Sequence, residues 1–271
     1  MNSTTTRKRK SAPAPATYGG AKVNRSLQRS FTLIEWLADR RRARLGEIAT
    51  GSGLSPATAL RFLGTLVGLG YVRADEGGYA LTTKLRALAH RITAADASRA
   101  VSGHLEGVAA ATGLTAFLVV EDDDEALYLH RATPERSSMI SAQRIGRRAP
   151  LYCTAVGKVL LAARDPAGLA AYLSGHELRR LTPTTRASAP ALRRDLAEIA
   201  GRGWALDDEE CEAGLRCVAV PVFGPDGRPF AALSASGQAD RIDPARTAAL
   251  VRRLTAAAAA IAREVGPEDL R

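Results

Sequence analysis

The sequence predicts an α+β protein in which a winged helix-turn-helix precedes a larger domain of helices packed on an antiparallel sheet. Three observations predict it. Residues 45–71, LGEIATGSGLSPATALRFLGTLVGLGY, have the apolar spacing of two short helices around a glycine turn, and a hairpin pattern follows at once. The basic excess of the chain lies wholly in its first third. From about residue 101 the pattern changes to strands interleaved with helices, with adjacent hairpins.

The chain has 271 residues, 46% hydrophobic and 24% charged, which suits one large or two modest globular domains. No apolar run approaches the ~20 residues a membrane span needs. Residues 1–22, MNSTTTRKRKSAPAPATYGGAK, carry basic residues with no apolar stretch after them, unlike a signal peptide. They lack core-forming side chains and are expected to be a disordered tail. Three cysteines, Cys153, Cys211 and Cys217, are too few and too odd in number for a disulfide framework. The expected location is the cytoplasm, with no membrane association.

The net charge of +10 becomes informative once located. Residues 1–90 hold 15 Lys/Arg and 5 Asp/Glu, whereas residues 91–271 hold 23 of each. Charge concentrated in one segment points to a polyanion partner, because neutralising phosphates releases counterions. A solvated surface with a basic tail would give the same balance.

Residues 26–38 place Leu27, Phe31, Leu33, Ile34, Trp36 and Leu37 on one wide helical face, with Ser26 as N-cap. A charged loop, Arg40–Arg44, follows. In the next helix Ile48 and Ala49 face inward, and small Ala49 lets a second helix cross close above it. Gly53 sits where the turn requires positive φ, which Gly adopts without steric cost. Ser55 caps the second helix and Pro56 occupies its first position, where proline is favoured. Ala59, Phe62, Leu63 and Leu66 form the buried stripe, leaving Ala57, Thr58, Leu60, Arg61 and Thr65 on or beside the exposed face. Short polar groups and an arginine near the N-terminal half suit a helix entering the major groove; an ordinary helical hairpin is the alternative. GYVRADEGGYALTTKL then reads as a wing: Tyr71 and Val72 on one strand, a turn over Asp75–Gly78, and Tyr79–Leu81 returning. Arg73 stands at the base of the wing, within reach of a phosphate. Residues 84–99 read as a helix leading out of the domain.

In the remainder, HLEGVAAATG is a helix ending at Gly113; TAFLVVE, ALYLHRA and SSMISAQ are strands. Residues 154–164, 166–173, ALRRDLAEIAGRG and 243–264 are helical, and WALDD, CVAVPVF and FAALSASG are strands. In RRAPLYCTAVGKVLLAA, Thr154 can cap a helix beginning at Ala155. The N–H groups of Ala155, Val156 and Gly157 would then point outward at the positive end of its dipole, and Gly157 would let a ligand approach the main chain. A phosphate-binding P-loop is excluded, since position 152 is Tyr and position 159 is Val. A capped helix packing through its glycine is the plainer alternative. Ser234 and Ser236, two apart on a strand, share a face that is either a pocket wall or solvated, while Leu233 and Ala235 face the other way.

These motifs together resemble the IclR family of bacterial transcription regulators. The resemblance covers residues 23 to about 265, with the motifs in the family's order: GLSPATALRFLGTL, GYV and Y-x-L-T of the wing, APLYCTAVGKVLLA, DDEECEAGLRCVAVPV, then FAALSASG followed by Arg241. It implies an N-terminal domain that binds operator DNA as a dimer. It also implies a GAF/PAS-like α/β domain that binds a small effector, often an organic acid. The implied effector residues are Ala155, Val156, Gly157, Asp207, Cys217, Ser234 and Ser236. A ligand carboxylate would sit on the helix N-terminus and accept from the serines, and Asp207 would accept from a hydroxyl, an aldehyde hydrate or a water at its other end. The DNA contacts expected are Arg25, Ser55, Thr58, Leu60, Arg61 and Arg73. Of these Thr58 and Arg61 read bases, Leu60 can touch a thymine methyl, and Arg25 and Arg73, together with the Arg40–Arg44 loop, hold phosphates. The chain departs from the family at Ala57, where a basic residue is frequent, and at Leu60, where a polar or aromatic one is. Cys153 stands at a position of variable type and is assigned no role.

LDDEECEAGLRC, residues 206–217, looks at first like a metal or catalytic cluster. Cys211 and Cys217 are six apart, unlike the C-x₂₋₄-C of structural zinc sites. None of His90, His104, His130 and His176 lies nearby. Consecutive acids fan outward rather than oppose one another across a bond. The stretch is read as a pocket edge in which Asp207 alone faces the ligand and the other acids form a solvated loop. Cys217 is a buried small hydrophobe or a pocket wall.

The expected organisation is a tail over 1–22, a DNA-binding domain over 23–83, a linker helix over 84–100 and an effector-binding domain over 101–271. The expected function is operator binding modulated by a small-molecule effector, as a homodimer or homotetramer. No catalysis, metal or cofactor is expected. An enzyme acting on a small acid and a constitutive architectural DNA binder are the competing classes.

Overall fold

The computed structural model describes residues 24–40, 42–92, 95–134 and 144–270. Two compact units divide the chain, Met1–Ile92 and Thr93–Arg271. The expected tail and the strand expected over SSMISAQ lie outside the described residues.

The first unit opens with α1 (Arg25–Ala38). Its N-cap is Asn24 rather than Ser26: the Asn24 side-chain oxygen accepts from the N–H groups of Ser26 and Leu27 at 3.0 and 3.2 Å. Ser26 already lies in the first turn. Leu33 and Leu37 are fully buried, but Leu27 and Phe31 remain 59% and 60% exposed. The apolar arc of α1 is therefore wider than the surface this unit offers it.

α2 (Leu45–Ser52) buries Ile48 and Ala49 and ends at Gly53, whose φ is 69°. α3 (Pro56–Gly68) starts at Ser55, whose hydroxyl accepts from the Thr58 N–H, and buries Ala59, Phe62, Leu63 and Leu66. The wing pairs β1 (Val72–Asp75) with β2 (Gly78–Leu81), from Val72 opposite Leu81 to Asp75 opposite Gly78. The strand thus starts one residue later than expected and the loop is Glu76-Gly77, because Tyr71 packs on the core instead. Ala43 adds a further rung through mutual backbone hydrogen bonds with Tyr79. That rung explains Gly78: its φ is 116°, and a Cβ there would stand 2.5 Å from the Ala43 carbonyl oxygen. α4 (Thr83–Ile92) follows.

The second unit begins with α5 (Ala95–Thr112), ended by Gly113 at φ 67°. The helix expected over 84–100 falls across α4 and the start of α5, and residues 93 and 94 between them are not described. A six-stranded, wholly antiparallel sheet is the frame. Its strands are β3 (Thr115–Asp122), β4 (Glu125–Ala132), β5 (Arg148–Pro150), β6 (Ala205–Asp208), β7 (Leu215–Phe223) and β8 (Pro229–Gln238), in the order β5-β4-β3-β8-β7-β6.

Both faces of the sheet are covered, so its strands read as nearly continuous apolar runs. α5 and α9 (Pro244–Glu264) bury one face, including Leu118, Val218, Leu233 and Ala235. α6 (Ala155–Ala162), α7 (Pro166–Gly175) and α8 (Ala189–Arg202) bury the other, including Phe117, Tyr128, Cys217 and Ala219. Strand alternation therefore sends Ser234 and Ser236 to the α6 side, away from Leu233 and Ala235, as their spacing requires.

Candidate effector pocket and nucleic-acid interface

In the first unit α3 offers Ala57, Leu60, Arg61, Gly64 and Thr65 to solvent. Leu60 is half exposed. Arg61 has its guanidinium 5.5 Å from the Phe62 ring and makes no ion pair among the described residues. Thr58 is half-buried, and its hydroxyl lies 2.9 Å from the Ser55 hydroxyl, so the two first-turn hydroxyls share one hydrogen bond. Arg73 is exposed on β1 opposite Ala80, and Arg25 is exposed at the first residue of α1. Two arginines of the 40–44 loop are already engaged: Arg40 stacks on Trp36 at 3.7 Å, and Arg42 pairs with Asp75 of the wing at 2.8 Å.

The other site is a row across the sheet. Asp207 on β6 stands opposite Cys217 on β7, which stands opposite Ser236 on β8, which stands opposite Thr115 on β3. Two residues along, Ala219, Ser234 and Phe117 form a parallel row. Asp207, Cys217, Ser234 and Ser236 are all buried, and the Ser236 hydroxyl donates to the Cys217 sulfur at 2.9 Å. Ala155, Val156 and Gly157, at the start of α6, are buried in the same layer. Thr154 caps the helix by accepting from the Gly157 N–H at 3.1 Å. Tyr128 of β4 completes the layer, edge-on to Phe117, and burial pushes its phenol well above its ordinary range.

Asp207 is held in an unusual state. Its Oδ1 accepts from the Glu210 N–H at 2.8 Å and the Cys211 N–H at 3.4 Å, while its Oδ2 is buried with no partner. Burial raises its carboxyl to about 7, against the Glu210 N–H and the Lys158 charge, which pull it down. Beside it lies a buried charge cluster. Lys158, fully buried on α6, donates to Asp195 of α8 at 2.9 Å, to Glu210 at 2.6 Å and to the Leu206 carbonyl at 2.6 Å. Arg186 reaches the same two carboxylates from the rim. Among the described residues, no group of three or more His, Cys, Asp or Glu is placed to hold a metal ion, and no helix is long and apolar enough to cross a membrane.

Two family models match this chain. That of the IclR helix-turn-helix domain covers residues 26–76, and that of the bacterial transcriptional regulator IclR C-terminal domain covers residues 89–263. The chain belongs to the IclR family. It is accordingly a transcription regulator with a helix-turn-helix DNA-binding domain and a C-terminal effector-binding domain. The HTH-type transcriptional regulator XynR of Escherichia coli is 35% identical over 248 residues, 90% of this chain and 98% of that one. The IclR of Thermotoga maritima superposes with a TM-score of 0.73 at 29% identity, covering 89% of this chain and 98% of that one. An IclR homolog from Microbacterium hydrocarbonoxydans, complexed with 4-hydroxybenzoate, superposes with a TM-score of 0.70 at 28% identity, covering 88% and 98%.

In this IclR-family chain the structure brings all seven expected effector residues into one buried layer. It corrects the part expected of Gly157. A Cβ there would meet the Leu151 Cα at 2.3 Å, so the missing side chain admits the Leu151 backbone rather than a ligand. The Gly157 N–H is also taken by the Thr154 cap, which leaves those of Ala155 and Val156 as the donors at the helix end. The acidic loop is corrected as well. Asp208 pairs with Arg216, Glu209 accepts from the Gly214 N–H, and Glu210 is fully buried on Lys158 rather than solvated. Lys158 was the signal for it: a lysine inside AVGKVLLA, otherwise apolar, has to find a carboxylate if it is buried. Cys153 and Cys211 meet thiol to thiol at the edge of this layer, and that contact together with burial pushes the Cys153 thiol far up. The six expected DNA contacts all lie in the first unit, with only Thr58 turned partly inward.

Proposed function

We propose that this regulator binds duplex operator DNA through α3 and the wing, and that a small organic acid held between α6 and the Asp207–Cys217–Ser236 row changes that binding. The observation that carries the ligand half is the lone Asp207 Oδ2. A buried carboxylate oxygen without a partner costs free energy that a ligand donor would recover. The acid's carboxylate would accept from the Ala155 and Val156 N–H groups, at the positive end of the α6 dipole, from the Ser234 hydroxyl, and from the Ser236 hydroxyl once it turns from the Cys217 sulfur. A hydroxyl at its far end would donate to Asp207. The homolog bound to 4-hydroxybenzoate, an acid with a hydroxyl opposite its carboxylate, supports this choice of ligand class.

On the DNA side, Thr58 and Arg61 read bases, Leu60 touches a thymine methyl, Ser55 caps the reading helix, and Arg25 and Arg73 hold phosphates. The working domains are 23–83 and 101–271, joined through 84–100. The protein acts in the cytoplasm as a homodimer or homotetramer, without a cofactor or catalysis. The effector prefers one arrangement of the sensory domains and so shifts the population competent to bind the operator.

The test is a thermal-shift screen against small aliphatic and aromatic hydroxy acids, 4-hydroxybenzoate among them, with Asp207→Ala and Ser234→Ala/Ser236→Ala alongside. A one-site ligand at 100 times its dissociation constant adds ~2.7 kcal/mol of stability. A shift with one acid that both variants lose is the expected result. A shift that survives in both variants places the ligand elsewhere and ends this reading.

A further inference from the structure

A second surface of the sensory domain carries a different chemistry. A groove of about 550 Å³ runs between the C-terminal end of α5 and the outer side of α9. Arg241, Arg246, Arg252 and Arg253 line it, and all four are exposed. None of them forms an ion pair among the described residues; the Arg246 side chain donates only to the Arg241 carbonyl, at 2.9 Å. Asp240 and Asp243 flank one end, but the Asp243 carboxylate caps α9 by accepting from the Arg246 backbone N–H at 2.7 Å. The floor between the arginines is apolar, built from Leu114, Leu250 and the small Ala249 and Ala256.

The spacing says what fits. Arg246, Ala249, Arg253 and Ala256 follow one another at steps of three and four, a single ridge of α9. Arg246 and Arg253 stand two turns apart, about 10 Å along the axis. Guanidinium groups spread over that length cannot converge on one small carboxylate. They match carboxylates repeated at the same pitch along another helix. Alanines between them let a second helix approach closely, and its apolar side would cover the floor. A DNA backbone has matching charge but no apolar side to lay there. A second copy of this chain does not provide the partner either. Among the described helices none presents two exposed acids at a spacing of three, four or seven: Asp195 of α8, three residues before Glu198, is buried on Lys158.

We propose that the α5–α9 groove is a docking site for an acidic amphipathic helix of another protein. It shares no residue with the effector site, so the two readings stand or fall separately. The test uses the full-length protein and two fluorescein-labelled helical peptides. One carries Glu along one stripe and Leu beside it; the other has Lys in place of every Glu. Fluorescence anisotropy is expected to show binding of the Glu peptide, weakened by salt, and none of the Lys peptide. Arg246→Glu/Arg253→Glu is expected to weaken that binding by about tenfold or more. Arg246→Gln/Arg253→Gln, which introduces no repulsion, should weaken it less, and an unchanged melting temperature shows that the fold is intact. No binding of the Glu peptide, equal binding of the two peptides, or equal binding by the variants overturns the proposal. Loss of duplex DNA affinity in the variants in place of peptide affinity would make the groove a phosphate surface and overturn it too.

Discussion

Asp207 reaches the covered face through the alternation of β6: Ala205 and Asp207 turn toward α6, while Leu206 packs on the opposite side. Its consequences can be titrated. The carboxyl rises from 3.8 in the ordinary state to about 7, chiefly through burial. The folded protein thus holds this proton more tightly than the unfolded chain does. The stabilisation is complete below about pH 4 and is lost as pH climbs to about 7. Asp207→Asn removes the titration, so its stability is expected to change less than that of the wild type between these values. Urea unfolding at pH 5 and pH 8 measures it; parallel losses in both proteins would refute the assignment. The sequence identified Asp207 through its family motif, yet it did not reveal that Glu210, three residues on, is equally buried. Local alternation describes a strand, and Glu210 lies just past the end of one, where Glu209 takes a φ of 60° and turns the chain back inward.

Among the elements, α6 does the most to position the site. Thr154 caps it, Gly157 lets it lie on the Leu151 backbone, and Lys158 ties it to α8 and to the loop after β6. A buried ion pair adds little net stability while complete, but breaking it strands uncompensated charge. Lys158→Met leaves Asp195 and Glu210 with Arg186 at the rim as their only cation among the described residues. The expected cost is about 3–5 kcal/mol in denaturant unfolding; a cost below ~1 kcal/mol would show the cluster to be wet and weakly coupled. The α2–α3 turn and the cap of α3 were legible in advance because Gly53, Ser55 and the apolar stripe of α3 act within one or two turns. The cap of α1 was misplaced by two residues, since Asn24 and Ser26 have equally competent side chains and only the backbone path selects between them.

For the whole molecule, charge and chemistry divide along the chain. The basic third holds the winged helix, and the neutral remainder holds the sheet with its buried polar row. This partition argues for affinity from arginines around the reading helix and specificity from a few groups on it. Arg61→Ala is expected to abolish preference for the operator, a loss of about 1–3 kcal/mol in discrimination, while binding to unrelated duplex stays largely intact. Equal losses on operator and scrambled DNA, measured at one salt concentration, would make Arg61 a phosphate contact instead.

The sequence alone determined the α+β class and the winged helix, because these rest on short-range periodicity and turn chemistry, and the resemblance of its ordered motifs pointed to the family. It also picked out the residues of the polar row, though as separate points along the chain. Only the tertiary structure decided which of them meet. Asp207, Cys217 and Ser236 become neighbours through strand pairing, and Lys158 meets Glu210 across fifty-two residues of chain. Which polar atoms end buried without a partner, and whether Gly157 faces a ligand or the Leu151 backbone, depends on long-range packing that no local pattern encodes.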